Sequence, residues 1–248
     1  MLGPHSVYTC TPGYLRKIGK YSEKFDIPVQ MHLAETKEEV KNCIEKYGAT
    51  PIQIAYDRGL LKKNSVAAHA VVLTEKDITL LKTSGASVSH NPGSNMKLAS
   101  GIAPVTKLIA AGINVAMGTD GAASNNKLDM MEEIRSATYL QKVHLEDPTA
   151  LPVDTVLRMA TINGAKALGF DNTGILAEGW DADLVIFDTE KANWYPKYNF
   201  KSTLVYSASS GDIESVMVQG KFVMKNRILL TMDEERILHE VSEWTKKI

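Results

Sequence analysis

Pro28-Val29-Gln30-Met31-His32-Leu33-Ala34-Glu35-Thr36 is a short apolar run that reaches a histidine and then a carboxylate three residues on. Read as a buried strand, it puts an imidazole where the strand stops and a carboxylate one step further out. Imidazole is a good ligand for a borderline cation such as zinc, and a carboxylate outside the ligand set can carry protons. One such pair is weak evidence by itself, because His and Glu three apart serve equally well as surface or core residues.

The same ending recurs along the chain. Apolar runs at 27–32, 65–69, 86–90 and 113–118 read as strands, and they stop at His32 with Glu35, at His69, at His90 with Asn91, and at Asp120. Between them, residues 12–25, 37–47, 75–83, 103–111 and 128–143 space Leu, Ile, Val or Met at three and four, with charges on the other face. That alternation predicts parallel strands joined by crossover helices. In a (β/α)8 barrel the carboxyl ends of the strands converge on one site, so chemistry-bearing residues fall where each strand ends. Each residue has a plainer reading. His69 could be a core histidine, residues 89–95 a turn shaped by Pro92 and Gly93, and Asp120 a helix cap. Four such endings in register are hard to assign to packing alone.

Composition narrows the class. The chain has 248 residues, 44% hydrophobic and 23% charged, with a net charge of -1. Lys and Arg are scattered rather than blocked, which argues against nucleic acid or an anionic membrane as a partner. Cys10 and Cys43 share no CxxC spacing, so neither a disulfide framework nor a thiolate cluster is expected, and a reducing cytoplasm fits. No apolar run approaches the roughly 20 residues of a membrane span, and residues 1–5 have no leader character. A last barrel helix is expected near 154–168. Beyond it, short runs at 174–176, 182–187 and 215–224 predict a small β-sandwich-like domain over 171–226. A C-terminal helix is expected over 227–248, with Ile237, Leu238, Val241 and Trp244 as its packing face.

The set Gly3-Pro4-His5-Ser6, His32-Leu33-Ala34-Glu35-Thr36, Ala68-His69-Ala70, Ser89-His90-Asn91-Pro92, Ser94-Asn95-Met96-Lys97-Leu98 and Gly118-Thr119-Asp120-Gly121-Ala122-Ala123-Ser124-Asn125-Asn126 resembles the S-adenosylhomocysteine/5-methylthioadenosine deaminase family of amidohydrolases. Gly174 to Val185 is similar to the strand pair by which that superfamily re-enters its β-domain. The resemblance implies an α/β fold, the C-terminal part of a metal-dependent hydrolase (β/α)8 TIM barrel over 1–170, running from the end of strand four to strand eight. It implies a divalent metal, zinc first, with iron, manganese or nickel as alternatives, and a nucleoside substrate. His32 becomes the strand-five metal ligand and Glu35 the proton shuttle. His69 becomes the strand-six histidine beside the attacking water, stabilising the oxyanion. Asp120 becomes the strand-eight carboxylate that binds metal and accepts a proton. His5, Glu35 and His69 contact substrate, and His90 with Asn91 shapes the pocket. His144 and His239 match no motif. Chlorohydrolases and guanine deaminases share several of these motifs, and a non-catalytic remnant that binds a ligand or partner is the reading from another class.

The superfamily's strand-one His-x-His has no counterpart among the six histidines. The expectation is therefore a fragment, with an unclosed sheet, poor metal affinity and no deamination on its own. It would be partnered by a missing N-terminal segment or by further copies of itself. His32 and Asp120 supply two metal ligands, or three if His69 turns inward.

Overall fold

The structure, a computed structural model, describes residues 1–247. Its first compact unit, Met1–Asp171, opens with α1 (Pro12–Phe25), started by Thr11, whose side chain accepts from the Tyr14 amide, and by Pro12 in the first turn. There follow β1 (Gln30–Leu33), α2 (Lys37–Tyr47), α3 (Pro51–Asp57), β2 (Val66–His69), α4 (Glu75–Ser84), β3 (Ser87–His90) and α5 (Pro92–Lys97). The unit continues through α6 (Val105–Ala110), β4 (Val115–Met117), α7 (Met130–Leu145), α8 (Val153–Met159) and α9 (Ile162–Leu168).

The four strands form one parallel sheet in sequence order, β1-β2-β3-β4. Met31, Ala67, Val88 and Val115 lie side by side across it, and His32, Ala68, Ser89 and Ala116 form the next row. Such continuity brings every strand's carboxyl end to one rim. Residues 2–5 run along the outer edge of β1: Leu2 bridges Val29 in parallel, and the His32 amide donates to the His5 carbonyl at 2.9 Å. Leu33, Ala67, Val88 and Val115 are fully buried, and all four residues of β2 are buried, as in a sheet covered on both faces.

Three details differ from expectation. The polar loop after His90 is helical, because Pro92 is preset for a first helical turn. Thr50-Pro51 starts the unexpected α3 by the same device, with the Thr50 hydroxyl accepting from the Gln53 amide. The single helix expected at 154–168 is broken at Thr161, whose backbone leaves the helical region at φ -129, ψ -100.

From Asn172 onward a second compact unit holds β5 (Leu184–Phe187), α10 (Phe200–Tyr206), β6 (Ile213–Val218), β7 (Lys221–Lys225), β8 (Ile228–Leu229) and α11 (Glu234–Thr245). Its strands make one antiparallel sheet, β5-β6-β7-β8, rather than two facing sheets. The run 174–176 is not a strand. Residues 215–224 divide into a hairpin because Gln219 and Gly220 both take positive φ, 48° and 75°, the geometry of a two-residue turn. Buried Asp212 ties this unit's loops together, accepting from Lys191, Asn193, Trp194 and the Ser209 amide. The apolar face expected to pack on α11 is open: Leu238 is 62% and Trp244 69% exposed. Ile248, included in the expected 227–248 helix, lies outside the described residues.

Candidate metal centre

His32, His69 and Asp120 each place a ligand atom within 4.8 Å of the others. They come from the ends of β1 and β2 and from just beyond β4, so the sheet's register builds the cluster. The backbone is forced there. His69 and Asp120 have φ of 74° and 62°, and Ala34 and Ala70 beside them have 55° and 48°. Left-handed geometry costs a residue with a Cβ about 1–2 kcal/mol, and the surrounding structure must impose it.

Both imidazoles are oriented through Nδ1. His32 Nδ1 lies 2.9 Å from the His5 carbonyl oxygen, which can only accept, so Nδ1 carries a proton and Nε2 is the nitrogen through which the ring can ligate. His69 Nδ1 lies 2.9 Å from Asn95 Oδ1, with the same consequence. His69 is buried, and its Nε2 has no hydrogen-bond partner. A buried lone pair left so costs about 1–3 kcal/mol unless something electropositive meets it. Facing it are Glu35 Oε2 at 3.8 Å and Asp120 Oδ2 at 4.0 Å. Burial pushes the Asp120 carboxyl up. Hydrogen bonds from the Ser94 hydroxyl and the Gly121 amide, then the His69 and His32 charges, outweigh that and hold it below the usual carboxylate range. Two imidazoles and an ionised carboxylate are a donor set that fits a divalent transition metal such as zinc. Thus His69 does turn inward.

Glu35 stands at the rim, with Oε1 accepting from the Ser100 hydroxyl at 2.9 Å. Its amide donates to buried Glu39, 2.6 Å away. Burial pushes Glu39 upward, partly offset by the amides of Glu35, Ala34 and Thr36. A cavity of about 330 Å³ opens beside Glu35, lined among others by Val7, Tyr8, Cys43 and Tyr47.

The remaining sequence candidates lie nearby. The exposed His5 ring sits 4.6 Å from that of His32. His90 is buried, with neither ring nitrogen partnered, and burial, then the His69 charge, pushes it down to about 4, so it is neutral. Asn91 directs its amide at Ser89 and, with the amide nitrogen turned inward, at the Gly118 and His90 carbonyls. Gly118 has no room for a side chain, since a Cβ would lie 2.6 Å from the Asn91 amide and 2.7 Å from Ser89 Oγ. His144 on α7 and His239 on α11 are exposed. The sequence reading missed the His5 carbonyl, Glu39, Asn95 and Ser100; His5 and Asn95 stood in motifs it had noticed, whereas Glu39 and Ser100 did not.

Among described residues no helix is long and apolar enough to cross a membrane. A 5-methylthioadenosine/S-adenosylhomocysteine deaminase of Halothermothrix orenii is 46% identical over all of this chain and 58% of its own length. Its counterpart from Desulforudis audaxviator is 47% identical, with the same coverage of 100% and 58%. Among solved structures, an adenosine deaminase from Xanthomonas campestris with bound zinc superposes at TM-score 0.95 and 38% identity, over 99% of this chain and 56% of that one. An atrazine chlorohydrolase from Arthrobacter aurescens, complexed with zinc, reaches 0.88 at 25% identity over 98% and 54%. The chain thus spans little more than half the length of the proteins it matches. Because the profile of the amidohydrolase family matches residues 1–223, strand ends and β-unit together, this chain belongs to that family.

Proposed function

We propose that this chain carries the metal-dependent deamination of adenine nucleosides, with S-adenosylhomocysteine and 5′-methylthioadenosine as substrates and the inosine analogue and ammonia as products. The observation that supports it is the meeting of His32, His69 and Asp120 within 4.8 Å, with Glu35 beside them. His32, Asp120 and the inward-facing His69 would hold a divalent cation, zinc in the first instance. Such an ion lowers the pKa of bound water from about 15.7 to about 7 and so supplies a nucleophile at neutral pH.

The rest belongs to the side chains. Asp120, held ionised, takes the proton that water loses as its oxygen adds to C6 of the purine. Glu35 delivers a proton to N1, takes up the proton of the new C6 hydroxyl as that becomes the carbonyl, and passes it to the amine, whose C6–N bond breaks to release ammonia. The proton left on Asp120 then returns to Glu35. Its place in the lining of a cavity suits contact with a ring nitrogen. His69, with its Nδ1 proton directed at Asn95, accepts rather than donates at Nε2. It therefore acts as a donor to the cation, and a ring bound in this way does not donate to an oxyanion. His5 and the walls formed by His90 and Asn91 bound the substrate's space. Retention of Glu35 favours deamination over halide displacement only modestly, since a departing amine needs a proton and a departing halide does not.

The test is zinc content together with ammonia release from a panel of adenosine, 5′-methylthioadenosine, S-adenosylhomocysteine and guanine, using the chain with the remainder of a full-length relative supplied. Zinc binding with turnover of the adenine nucleosides supports the reading. Turnover of guanine alone, or zinc binding indifferent to His32→Ala, overturns it.

A further inference from the structure

The motif Ser94-Asn95-Met96-Lys97-Leu98 carries no chemical step of the mechanism above, yet it bonds to two of the groups that do. Ser94 Oγ donates to Asp120 Oδ2 at 2.7 Å, and Asn95 Oδ1 accepts from His69 Nδ1 at 2.9 Å. Two residues past the motif, Ser100 Oγ donates to Glu35 Oε1 at 2.9 Å. All three are buried, and the Ser100 amide donates back to the Asn95 carbonyl at 2.9 Å, tying the far end of the segment to α5.

The segment is itself clamped. Lys97 Nζ donates to the Ala123 carbonyl at 2.7 Å and to Asn126 Oδ1 at 2.6 Å, holding the loop that follows Asp120. Buried Glu133 on α7 accepts from the Gly93 amide at 2.8 Å and from Asn125 Nδ2 at 2.6 Å, so one carboxylate grips both the start of α5 and that loop.

We propose that residues 94–100 form a positioning bracket for the metal centre, in which Asn95 sets the His69 tautomer, Ser94 sets the plane of the Asp120 carboxylate and Ser100 sets Glu35. The physical case is one of freedom removed. A histidine can ligate only through a bare nitrogen, and an acceptor at the other nitrogen both selects that tautomer and strengthens the donor. A carboxylate with one oxygen engaged has lost the rotation that would otherwise be frozen when a cation binds. Because the three bonds issue from one seven-residue segment, a shift of that segment moves two donors and the proton carrier together.

The proposal rests on the metal-centre reading, and the experiment separates the two. Zinc dissociation constants are measured by chelator competition for the wild-type chain, His32→Ala, Ser94→Ala, Asn95→Leu, Asn95→Asp and the exposed α7 control Val143→Ala, each with the remainder of a full-length relative supplied. Thermal unfolding of the metal-free forms accompanies them. Ser94→Ala and Asn95→Leu are expected to weaken zinc binding about 10–100-fold. Asn95→Asp keeps an acceptor oxygen for Nδ1–H and restores affinity to the wild-type value or better, while Val143→Ala changes nothing. Restoration by Asn95→Asp is the result a merely structural role would not give. If His32→Ala loses zinc while Ser94→Ala and Asn95→Leu bind it as the wild type does, the metal centre stands and the bracket is overturned. If His32→Ala binds zinc as tightly as the wild type, both fall.

Discussion

Glu35 Oε2 lies 3.8 Å from His69 Nε2, too far for a hydrogen bond and near enough for both to address one small molecule between them. The carboxylate is tied from behind by the Ser100 hydroxyl and through its own amide by Glu39, so the gap is a held distance rather than a loose one. Glu35→Gln fills the same space and cannot carry a proton. It should retain zinc and lose turnover by about 100–10,000-fold. Near-normal turnover with full metal content, the chemical step being limiting, would remove Glu35 from the mechanism.

Asp120 has two duties, and its loss should show in both. Asp120→Ala is expected to lower zinc occupancy and rate together, whereas Asp120→Asn, which still accepts from Ser94, should fold as the parent does and remain inactive. Zinc content by atomic absorption, set beside ammonia release, separates the cases. Full occupancy in Asp120→Ala would leave Asp120 only a part in the loop that follows β4.

Gly118→Ala is predicted to be costly although it adds one methyl group. The Cβ would meet Asn91 and Ser89 at 2.6 and 2.7 Å, inside contact distance, so the strand end or the Asn91 amide must move. Overpacking of this kind costs about 1–3 kcal/mol. Calorimetric unfolding checks it, and a variant as stable as the parent would show that Asn91 turns aside freely.

The second unit should fail first in acid. Asp212 is pushed up by burial, but bonds from Lys191, the Ser209 amide and Asn193 dominate and hold it far below the ordinary aspartate range. With the folded value below the unfolded one, the stabilisation is complete above about pH 4 and is lost as pH falls below that, when the carboxyl must take a proton to unfold and not to stay folded. Asp212→Ala should remove about 3 kcal/mol at neutral pH, because the Trp194 indole and the Lys191 ammonium lose a buried acceptor. Trp180, Trp194 and Trp244 all fall in this unit, so tryptophan fluorescence follows it alone. An acid transition unchanged in Asp212→Ala would refute the assignment.

The parallel sheet was legible because strand and helix periodicities alternate along residues 27–143 and are local properties. The bounds of α1 and α2 coincide with those read from spacing, since Thr11, Pro12 and Thr36 mark their starts. Errors fell where short-range signals conflict or are sparse. Turn-forming Gly93, Ser94 and Asn95 read as a loop, yet Pro92 begins a helix there. The seven-residue α10 between two β segments carried too few turns for a period to show. The apolar stripe on α11 was read correctly as a stripe, but spacing cannot say what, if anything, covers it.

Sequence by itself determined which residues end the strands, and so nominated His32, Glu35, His69, His90 and Asp120, because strand ends are written in the order of the chain. Tertiary structure decided what each nomination amounts to. Ring tautomers depend on acceptors 27 and 26 residues away, the His5 carbonyl and Asn95. The inward turn of His69 depends on a left-handed backbone that no local preference would select. A donor's identity is local chemistry, but its direction is set by partners that only the folded chain brings near.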